Sequence, residues 1–289
     1  MDSTARRRWH IPCRFRIMIR IETETGWTLI EHREHARLAG RMAARWGNDE
    51  FAPPEPRADI LTAVNRHDDA WAERDAVPFL TRQGRPSAFS RELVGTYSAF
   101  EEIDLADYLA VRGRATDAVA AESPYAAIIV SMHTFDLLTS QADLRGMSDS
   151  DKVLHRKFLD GQLMRQVELI DTLGGGQDVN EDLAPSQVLR AFEFLQACDS
   201  LSLAVCVRFP SEIALRHRHA RRDETFAELI CTPLGADTYR VDPYPFDADE
   251  LNLYVPGRNL PGKKFASETA LRAAYAAAPV ERIPVKIVR

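Results

Sequence analysis

The chain has 289 residues, of which 45% are hydrophobic, and a formal net charge of −6. This length accommodates one large domain or two ordinary ones, with enough apolar side chains for a substantial core. Acidic residues outnumber basic ones, 43 to 37, so the chain as a whole is not built to attract nucleic acid or an anionic membrane surface. A small anionic substrate, bound through local arginines, remains compatible with this composition.

Cysteine usage and apolar run length indicate a cytoplasmic protein without a membrane segment. The four cysteines show no CxxC spacing, and Cys198 and Cys206 lie in the apolar run LQACDSLSLAVC, where buried thiols are common. This usage is typical of a reducing cytoplasm. The longest apolar runs, such as YAAIIVSM, are far shorter than the roughly 18 to 20 residues that span a bilayer.

The amino-terminal part predicts a tail, a hairpin and two helices. Residues 1–17 contain arginines but no apolar segment long enough for a signal peptide, so we expect a disordered tail. The segment RFRIMIRIETETGWTLIE is typical of a β-hairpin. Helices are expected over EHARLAGRMAARWG, ending at Gly47, and from about Arg57 to about Asp75. Residues 77–93 are rich in Pro, Gly and Ser and predict a long loop that shapes a neighbouring site.

Periodicity and breaker residues predict four further helices before Pro210, at residues 104–121, 124–141, 149–173 and 185–207. After Pro210 the segments TFAELICTPL, TYRVDPYPF and LNLYVPGR are β-rich, and a helix at about 267–278 and a strand IPVKIVR follow. We therefore predict a mainly α fold, a helical bundle with a small β-rich segment that the C-terminal region forms with the N-terminal hairpin. In this organisation a helical metal-binding domain covers residues 18–210, and a β-rich segment, residues 211–289, packs on it.

The stretch VNRHDDAW places ionisable residues on the apolar face of the second predicted helix. His67 and Asp68 fall on the same helical stripe as Ile60, Val64 and Trp71. A carboxylate on an apolar stripe costs several kcal/mol unless a charge, hydrogen bonds or a metal compensates it. Asp68 therefore requires a compensating partner.

Three other predicted helices repeat this pattern. His35 follows the apolar stripe of EHARLAGRMAARW, His133 that of YAAIIVSMHTFDLL, and Asp199 that of VLRAFEFLQACDSLSLAVC. A single buried histidine is ordinarily a satisfied core group. Several helices that each turn a His or Asp inward are typical instead of a bundle that holds a divalent or di-iron centre, because facing helices project their ligands into one water-poor space.

The order of these residues resembles the HD superfamily, whose metal site uses a His, an adjacent His-Asp pair on a later helix and a distant Asp. His35, the pair His67 and Asp68, and Asp199 match this order. With EHARLAG, HDDAW, SMHTF and CDSLSL all present, the chain looks most like the uncharacterised domain-of-unknown-function family 3891 over roughly residues 18–289. The resemblance implies an HD-like bundle in which these residues hold one or two divalent ions, Fe, Mn, Mg, Ni or Zn.

The resemblance to HD phosphohydrolases also implies a reaction. In those enzymes the metal lowers the pKa of a bound water and polarises a phosphate, so we expect hydrolysis of a phosphate ester. Asp69 is the candidate general acid or base, or a hydrogen-bond partner of a ligating His, and a surface position is the competing interpretation. His133 is the candidate to bind a second metal or the substrate. An HD-type di-iron oxygenase bridged by the Asp of the pair, or a non-catalytic metabolite-binding regulator, are the alternatives.

Other polar residues carry weaker predictions. His155 lies at the edge of its helical stripe, which favours a solvated position over a metal ligand, and His32 is expected at the surface. The run LRHRHARR could bind phosphate through its arginines, although such runs are more often simply solvated. Arg66 and Lys157 are candidate contacts for a substrate anion. The sequence leaves the oligomeric state open, and a homodimer is compatible with it.

Overall fold

A computed structural model describes residues 18–81, 83–89, 105–140, 147–174, 181–235 and 237–289. The helices in this part of the chain are α1 His32–Ala43, α2 Arg57–Arg66, α3 Ala72–Asp75, α4 Leu105–Ala120, α5 Pro124–Thr139, α6 Asp149–Gly174, α7 Pro185–Cys206 and α8 Glu268–Ala277. The strands are β1 Met18–Glu22, β2 Gly26–Ile30, β3 Ala88–Phe89, β4 Ile213–Ala220, β5 Phe226–Gly235, β6 Thr238–Asp242, β7 Glu250–Pro261 and β8 Val280–Val288. The predicted tail, residues 1–17, lies outside the described residues.

One sheet joins the two ends of the chain. Its strand order is β3-β1-β2-β7-β8-β6-β5-β4, and the β1–β3 and β6–β8 pairs are parallel whereas the others are antiparallel. The N-terminal hairpin enters this sheet through β2, which pairs with β7 from Gly26 opposite Pro261 to Leu29 opposite Arg258. The long β7–β8 pair, which runs from Glu250 opposite Val288 to Arg258 opposite Val280, forms its centre.

The prediction of a mainly α fold is therefore wrong. About half of the described residues are helical and about a quarter lie in the mixed sheet, so the fold is α/β, and an all-α description does not apply. The individual strands were visible as β-rich segments, but nothing local shows that segments at opposite ends of the chain pair with each other. That non-local pairing turns two small predicted β elements into one large sheet.

The helices lie in layers on this sheet. The α1 and α7 helices contact it directly, α2 and α5 pack against them, and α4 and α6 lie farther out against α5. Successive side chains of β1 and β2 point to opposite faces of the sheet. Ile19 and Ile30 join the core beneath α1 and α7, whereas Met18 and Leu29 pack with Leu271 of α8 on the other face. None of the described helices has a stretch long and apolar enough to cross a membrane.

The bounds of α4 to α7 agree with the predicted bounds to within two residues. Ser123 caps α5, since its side chain accepts a hydrogen bond from the N–H of Ala126 and Pro124 occupies the first helical position. Pro185 begins α7 in the same way. The first helix ends at Ala43, earlier than predicted, and Trp46 next to the predicted end makes an isolated bridge with Phe246.

The predicted helix from Arg57 to Asp75 is interrupted at the His-Asp pair. The α2 helix ends at Arg66, and Asp68 has left the helical region, with φ −116° and ψ 15°. A short 3-10 turn over Asp69–Trp71 leads into α3. The pair therefore lies at the C-terminal end of α2 rather than on the face of a continuous helix, although both side chains are buried.

The predicted loop at 77–93 is only partly a loop. Leu80 and Pro86 form an isolated bridge, and β3 adds a short parallel edge to β1, with Met18 opposite Ala88. Residues 90–93 lie outside the described part of the chain.

Gly26 is needed where β2 closes against β7. A Cβ at this position would lie 1.9 Å from the carbonyl oxygen of Leu260, so the backbone would have to shift. We expect Gly26→Ala to lower the free energy of unfolding by about 1–3 kcal/mol, measured by urea denaturation.

Gly161 provides the matched control, since it lies within α6 with nothing within 4 Å of an added Cβ. Gly161→Ala should raise the free energy of unfolding by about 1 kcal/mol, because alanine is the better helix former. Two variants of equal stability would contradict the assignment of strain to the β2–β7 junction.

Candidate metal centre

Four helices bring the predicted ligands into one buried cluster. His35 comes from α1, His67 and Asp68 from the end of α2, His133 from α5 and Asp199 from α7, and all five residues are buried. Two groups within the cluster have ligand atoms that all lie within 4.8 Å of one another. The first contains His35, His67 and Asp68, and the second His67, His133 and Asp199, so His67 belongs to both.

The end of α2 fixes the tautomer of His67. Its Nδ1 lies 2.8 Å from the carbonyl oxygen of Val64, which can only accept, so Nδ1 carries the proton. Val64 belongs to the last turn of α2, where carbonyl groups lack helical N–H partners. The unprotonated Nε2 lies 3.3 Å from Asp199 Oδ1 and 3.9 Å from Asp68 Oδ2, and it has no hydrogen-bond partner among the described residues.

A serine on α7 fixes the tautomer of His35 in the same way. The Ser202 hydroxyl donates to the carbonyl oxygen of Asp199 at 2.9 Å, so its oxygen is left to accept from His35 Nδ1, also at 2.9 Å. The proton of a neutral His35 is therefore on Nδ1. Its Nε2 faces Asp68 Oδ2 at 3.0 Å.

Two imidazole lone pairs and two carboxylates thus converge. A neutral Nε2 lone pair next to a carboxylate oxygen is repulsive, and the arrangement is favourable only if a cation, either a metal ion or a proton, lies between them. A backbone or hydroxyl group that holds Nδ1–H and directs Nε2 inward is the usual support of a metal-ligating histidine. The buried His and Asp groups are accordingly positioned to hold a metal ion.

His133 completes the second group. Its Nε2 lies 4.0 Å from Asp199 Oδ2, and its Nδ1 is buried without a hydrogen-bond partner among the described residues. Burial lowers the pKa of His133 to about 3, with partial opposition from Asp199. The ring is therefore neutral near pH 7, the form in which imidazole binds metals.

Arg112 of α4 is the functional neighbour that the sequence reasoning missed. Its Nη1 donates to Asp68 Oδ1 at 2.6 Å, its Nε donates to the Tyr108 hydroxyl at 3.2 Å, and its guanidinium lies 5.3 Å from the centre of the Trp71 ring. Arg112 shares an apolar helical stripe with Tyr108, so the pattern that selected the histidines, a polar residue on an apolar stripe, is present here too. An arginine on such a stripe ordinarily extends its head to water, which is why the pattern alone does not select it.

The charges of the cluster shift the acidities of its carboxyl groups. Burial by itself would raise the pKa of Asp68, but the Arg112 guanidinium and the neighbouring histidines hold it well below its usual range. Burial would also raise the pKa of Asp199, but His67 and the other neighbouring histidines outweigh it and lower the pKa to about 2. Burial would lower the pKa of His67, yet the two carboxylates raise it above its ordinary value. A proton on His67 and a metal ion therefore compete for the same place.

Asp69, the candidate acid or base, does not join the cluster. Its carboxylate forms ion pairs with Arg37 at 2.8 Å and with Arg66 at 2.9 Å. These pairs tie α1 to the end of α2 and hold the backbone that carries His67 and Asp68. The same contacts occupy Arg66, which was a candidate for binding a substrate anion and which also contacts Glu122.

His155 is buried rather than solvated, but it lies apart from the cluster. Its Nε2 is 2.9 Å from the carbonyl oxygen of Leu138, with which it links α6 to the end of α5. Lys157 is exposed on α6. His32, predicted at the surface, is buried as well, and its backbone N–H donates to Asp75 at 2.5 Å while its ring stacks on Trp71.

The run LRHRHARR forms most of β4 and contributes a polar wall next to the cluster. Gln196, one turn before Asp199, donates to Asp136 Oδ2 at 2.7 Å, and Arg216 lies 3.0 Å from the same oxygen. His217 donates to Gln196 from a position with φ 66°, next to a register shift between β4 and β5. Such a bulge re-aims a side chain, and here it directs His217 towards α7.

His133 gives the metal-free protein a defined pH dependence. Its folded-state pKa is about 3 and that of an unfolded chain about 6.5, so the unfolded state takes up the proton first as the pH falls. Acidification from about 6.5 towards 3 therefore destabilises the folded protein through this residue. With a chelator present, we expect the stability advantage of the wild type over His133→Gln to shrink between pH 7 and pH 4 in urea titrations. A constant difference would show that His133 is not buried in neutral form.

Comparison with known proteins gives a family but no activity. A family described as a protein of unknown function, DUF3891, matches residues 18–262, which include every residue of the cluster. No curated protein and no solved structure matches the chain. The match extends over most of the chain, which therefore belongs to the DUF3891 family of proteins of unknown function.

Proposed function

We propose that the chain is a metal-dependent hydrolase of the HD type that cleaves a phosphate ester. The observation that carries this proposal is the convergence of the His35 and His67 Nε2 lone pairs on the Asp68 and Asp199 carboxylates. These four residues would hold the metal, and His133 would bind a second ion or the substrate. A bound divalent ion would lower the pKa of a water and polarise the phosphate.

The charge of the cluster favours an anionic substrate. With neutral histidines, the Asp68 and Asp199 carboxylates and the Arg112 guanidinium leave one net negative charge. A single divalent ion reverses the sign of the site and makes it attractive to a phosphate group. The residues around it exclude bulk water, since Asp199, the most exposed of the five, is only 8% exposed.

Besides the metal ion, Arg216 of the polar wall would offer the site a second group that binds anions. Arg216 is about one third exposed, and its partner Asp136 lies one turn after His133 on α5. A guanidinium presents planar donors that match two oxygens of a phosphate. We assign Arg216 the role of binding the substrate phosphate, with Gln196 and Asp136 holding it in position.

The di-iron oxygenase is the second candidate, because the group of His67, His133 and Asp199 offers ligands for a second ion. In that class the Asp of the pair bridges both irons through its two oxygens. Here Asp68 Oδ1 is held by Arg112 at 2.6 Å, which leaves Oδ2 alone to face the histidines. This contact favours a single ion next to Asp68, which suffices for a hydrolase, over the Asp68-bridged iron pair that the oxygenase would need.

Metal analysis of the protein, purified without chelator or a nickel column, tests the proposal. We expect one or two equivalents of Mn, Mg, Ni, Zn or Fe per chain and metal-dependent release of phosphate from a panel of phosphate esters. His67→Gln should lose the metal and the activity, because it removes the one residue shared by both ligand groups. His155→Gln is the matched control, since it also removes a buried histidine but one whose hydrogen-bond partner among the described residues is the Leu138 carbonyl group, away from the cluster.

The outcomes separate the candidates. About two irons per chain with an absorbance that responds to dioxygen would favour the oxygenase. Protein that contains no metal and does not take it up in titration would contradict both enzyme assignments. Equal loss of metal in the two histidine variants would contradict the ligand assignment.

Ser202 should strengthen metal binding without being a ligand. Ser202→Ala removes the acceptor that holds His35 Nδ1–H, so the ring is free to rotate or change tautomer. We expect the metal dissociation constant to rise about 10-fold to 100-fold, measured by competition with a chromophoric chelator. Ser200→Ala, two residues earlier on α7, removes only a hydroxyl that donates to the Gln196 carbonyl oxygen and should leave metal affinity unchanged.

A further inference from the structure

The outer face of α6 exposes a set of large apolar side chains. Its five large hydrophobic side chains are between 38% and 70% exposed: Val153, Leu163, Met164, Val167 and Ile170. The opposite face of the helix, with His155, Leu159, Gln162 and Leu169, is buried. Isolated exposed hydrophobic residues are normal, but a contiguous set on one helix face marks an interaction site.

The spacing of the exposed residues on this face matches the seam of a helix that packs along a second helix. Exposed positions recur at alternating intervals of three and four residues, at residues 153, 156, 160, 163, 167, 170 and 174. This three-four spacing is that of a two-helix contact, in which the core positions stay on one side of the helix, although Arg156 and Asp160 interrupt the apolar residues along it. The two turns from Leu163 to Ile170 supply its apolar part.

Between Lys152 and Asp171, apart from the acidic Asp160, the exposed charged residues of α6 are basic before Met164 and acidic after it. Arg156 and Lys157 lie on the N-terminal side of Met164, and Glu168 and Asp171 on the C-terminal side. All four side chains are exposed, and none forms an ion pair with another residue in the described ranges. Lys157 and Asp171 are equally far from Met164 along the helix.

We infer that two copies of this chain associate through α6, antiparallel, about a two-fold axis near Met164. This orientation places Lys157 of each copy opposite Asp171 of the other and packs Leu163 of one against Val167 of the other. A parallel pairing would place like charges together and would lose this complementarity. The arrangement is self-complementary, as a two-fold interface requires, which is why a second copy rather than a different protein fits the face.

The size of the contact predicts a reversible dimer. The 26 residues of α6 extend over about 39 Å, and one helix pair of this length lies at the lower end of the areas buried by specific interfaces. The site cluster does not contribute to this face, so the association and the proposed hydrolase activity can be tested separately.

Sedimentation velocity over a concentration series from about 1 µM to about 100 µM tests the inference. The chain has a mass of 32.6 kDa, and we expect the weight-average mass to rise towards twice that value with concentration. Val167→Asp, which places a charge in the apolar seam, should abolish the rise. A wild type that stays monomeric throughout the series would overturn the inference.

Charge exchange tests the orientation. Lys157→Asp or Asp171→Lys alone places like charges opposite each other at two symmetric places and should raise the dissociation constant about tenfold. The double exchange Lys157→Asp/Asp171→Lys should restore it. Arg240→Asp on β6 makes the same change in net charge as Lys157→Asp away from α6 and should have no effect. A double variant that dimerises no better than the single variants would overturn the antiparallel pairing.

Discussion

Two carboxylates buried among helices constrain this structure more than any other feature. Asp68 and Asp199 are 4% and 8% exposed, and a buried carboxylate without compensation costs several kcal/mol. The compensation comes from other parts of the chain: Arg112 of α4 pairs with Asp68, and histidines from α1, α2 and α5 surround Asp199. The relative positions of these helices are therefore fixed by charge as well as by apolar packing. Arg112 balances the charge of only one of the two carboxylates. The cluster therefore favours a further positive charge, which makes it a candidate metal centre.

Secondary structure decides which nitrogen of each histidine faces this cluster. Because α2 ends at Arg66, the Val64 carbonyl group is free to accept from His67 Nδ1, and Nε2 then points towards both carboxylates. The same outcome for His35 depends on Ser202, whose hydroxyl proton is already donated to a carbonyl group of α7. A helix end and a serine one turn from a ligand thus convert two ordinary buried histidines into converging metal-type donors. The 3-10 turn after α2 is part of this chemistry and not only a connection.

The sheet contributes by holding the helices that carry the ligands. The α1 and α7 helices lie directly on it, and β4 supplies Arg216 and His217, which contact residues one turn from His133 and Asp199. Its extent was not foreseen, because the pairing of β2 with β7 joins Gly26 to Pro261 and leaves no local pattern in either segment. The helices were predictable for the opposite reason, since the apolar period of α4 to α7 and the breaker residues at their ends are local. The break in the second predicted helix was missed because it lies at the His-Asp pair and depends on how that pair packs against other elements.

By itself, the sequence determined the helices of the middle region and selected the five residues that the fold brings together, because inward-facing polar residues are visible in helical periodicity. It did not reveal that Asp69 is held by Arg37 and Arg66, that His155 is buried against α5, or that Arg112 is the partner of Asp68. Each of these depends on which residue of another element lies within about 3 Å, the range of a hydrogen bond, and that proximity has no local signature. Tertiary structure alone decided the size of the sheet, the tautomer of His35 and the convergence of the His35 and His67 lone pairs on two carboxylates, since all three arise from contacts between residues far apart in the chain.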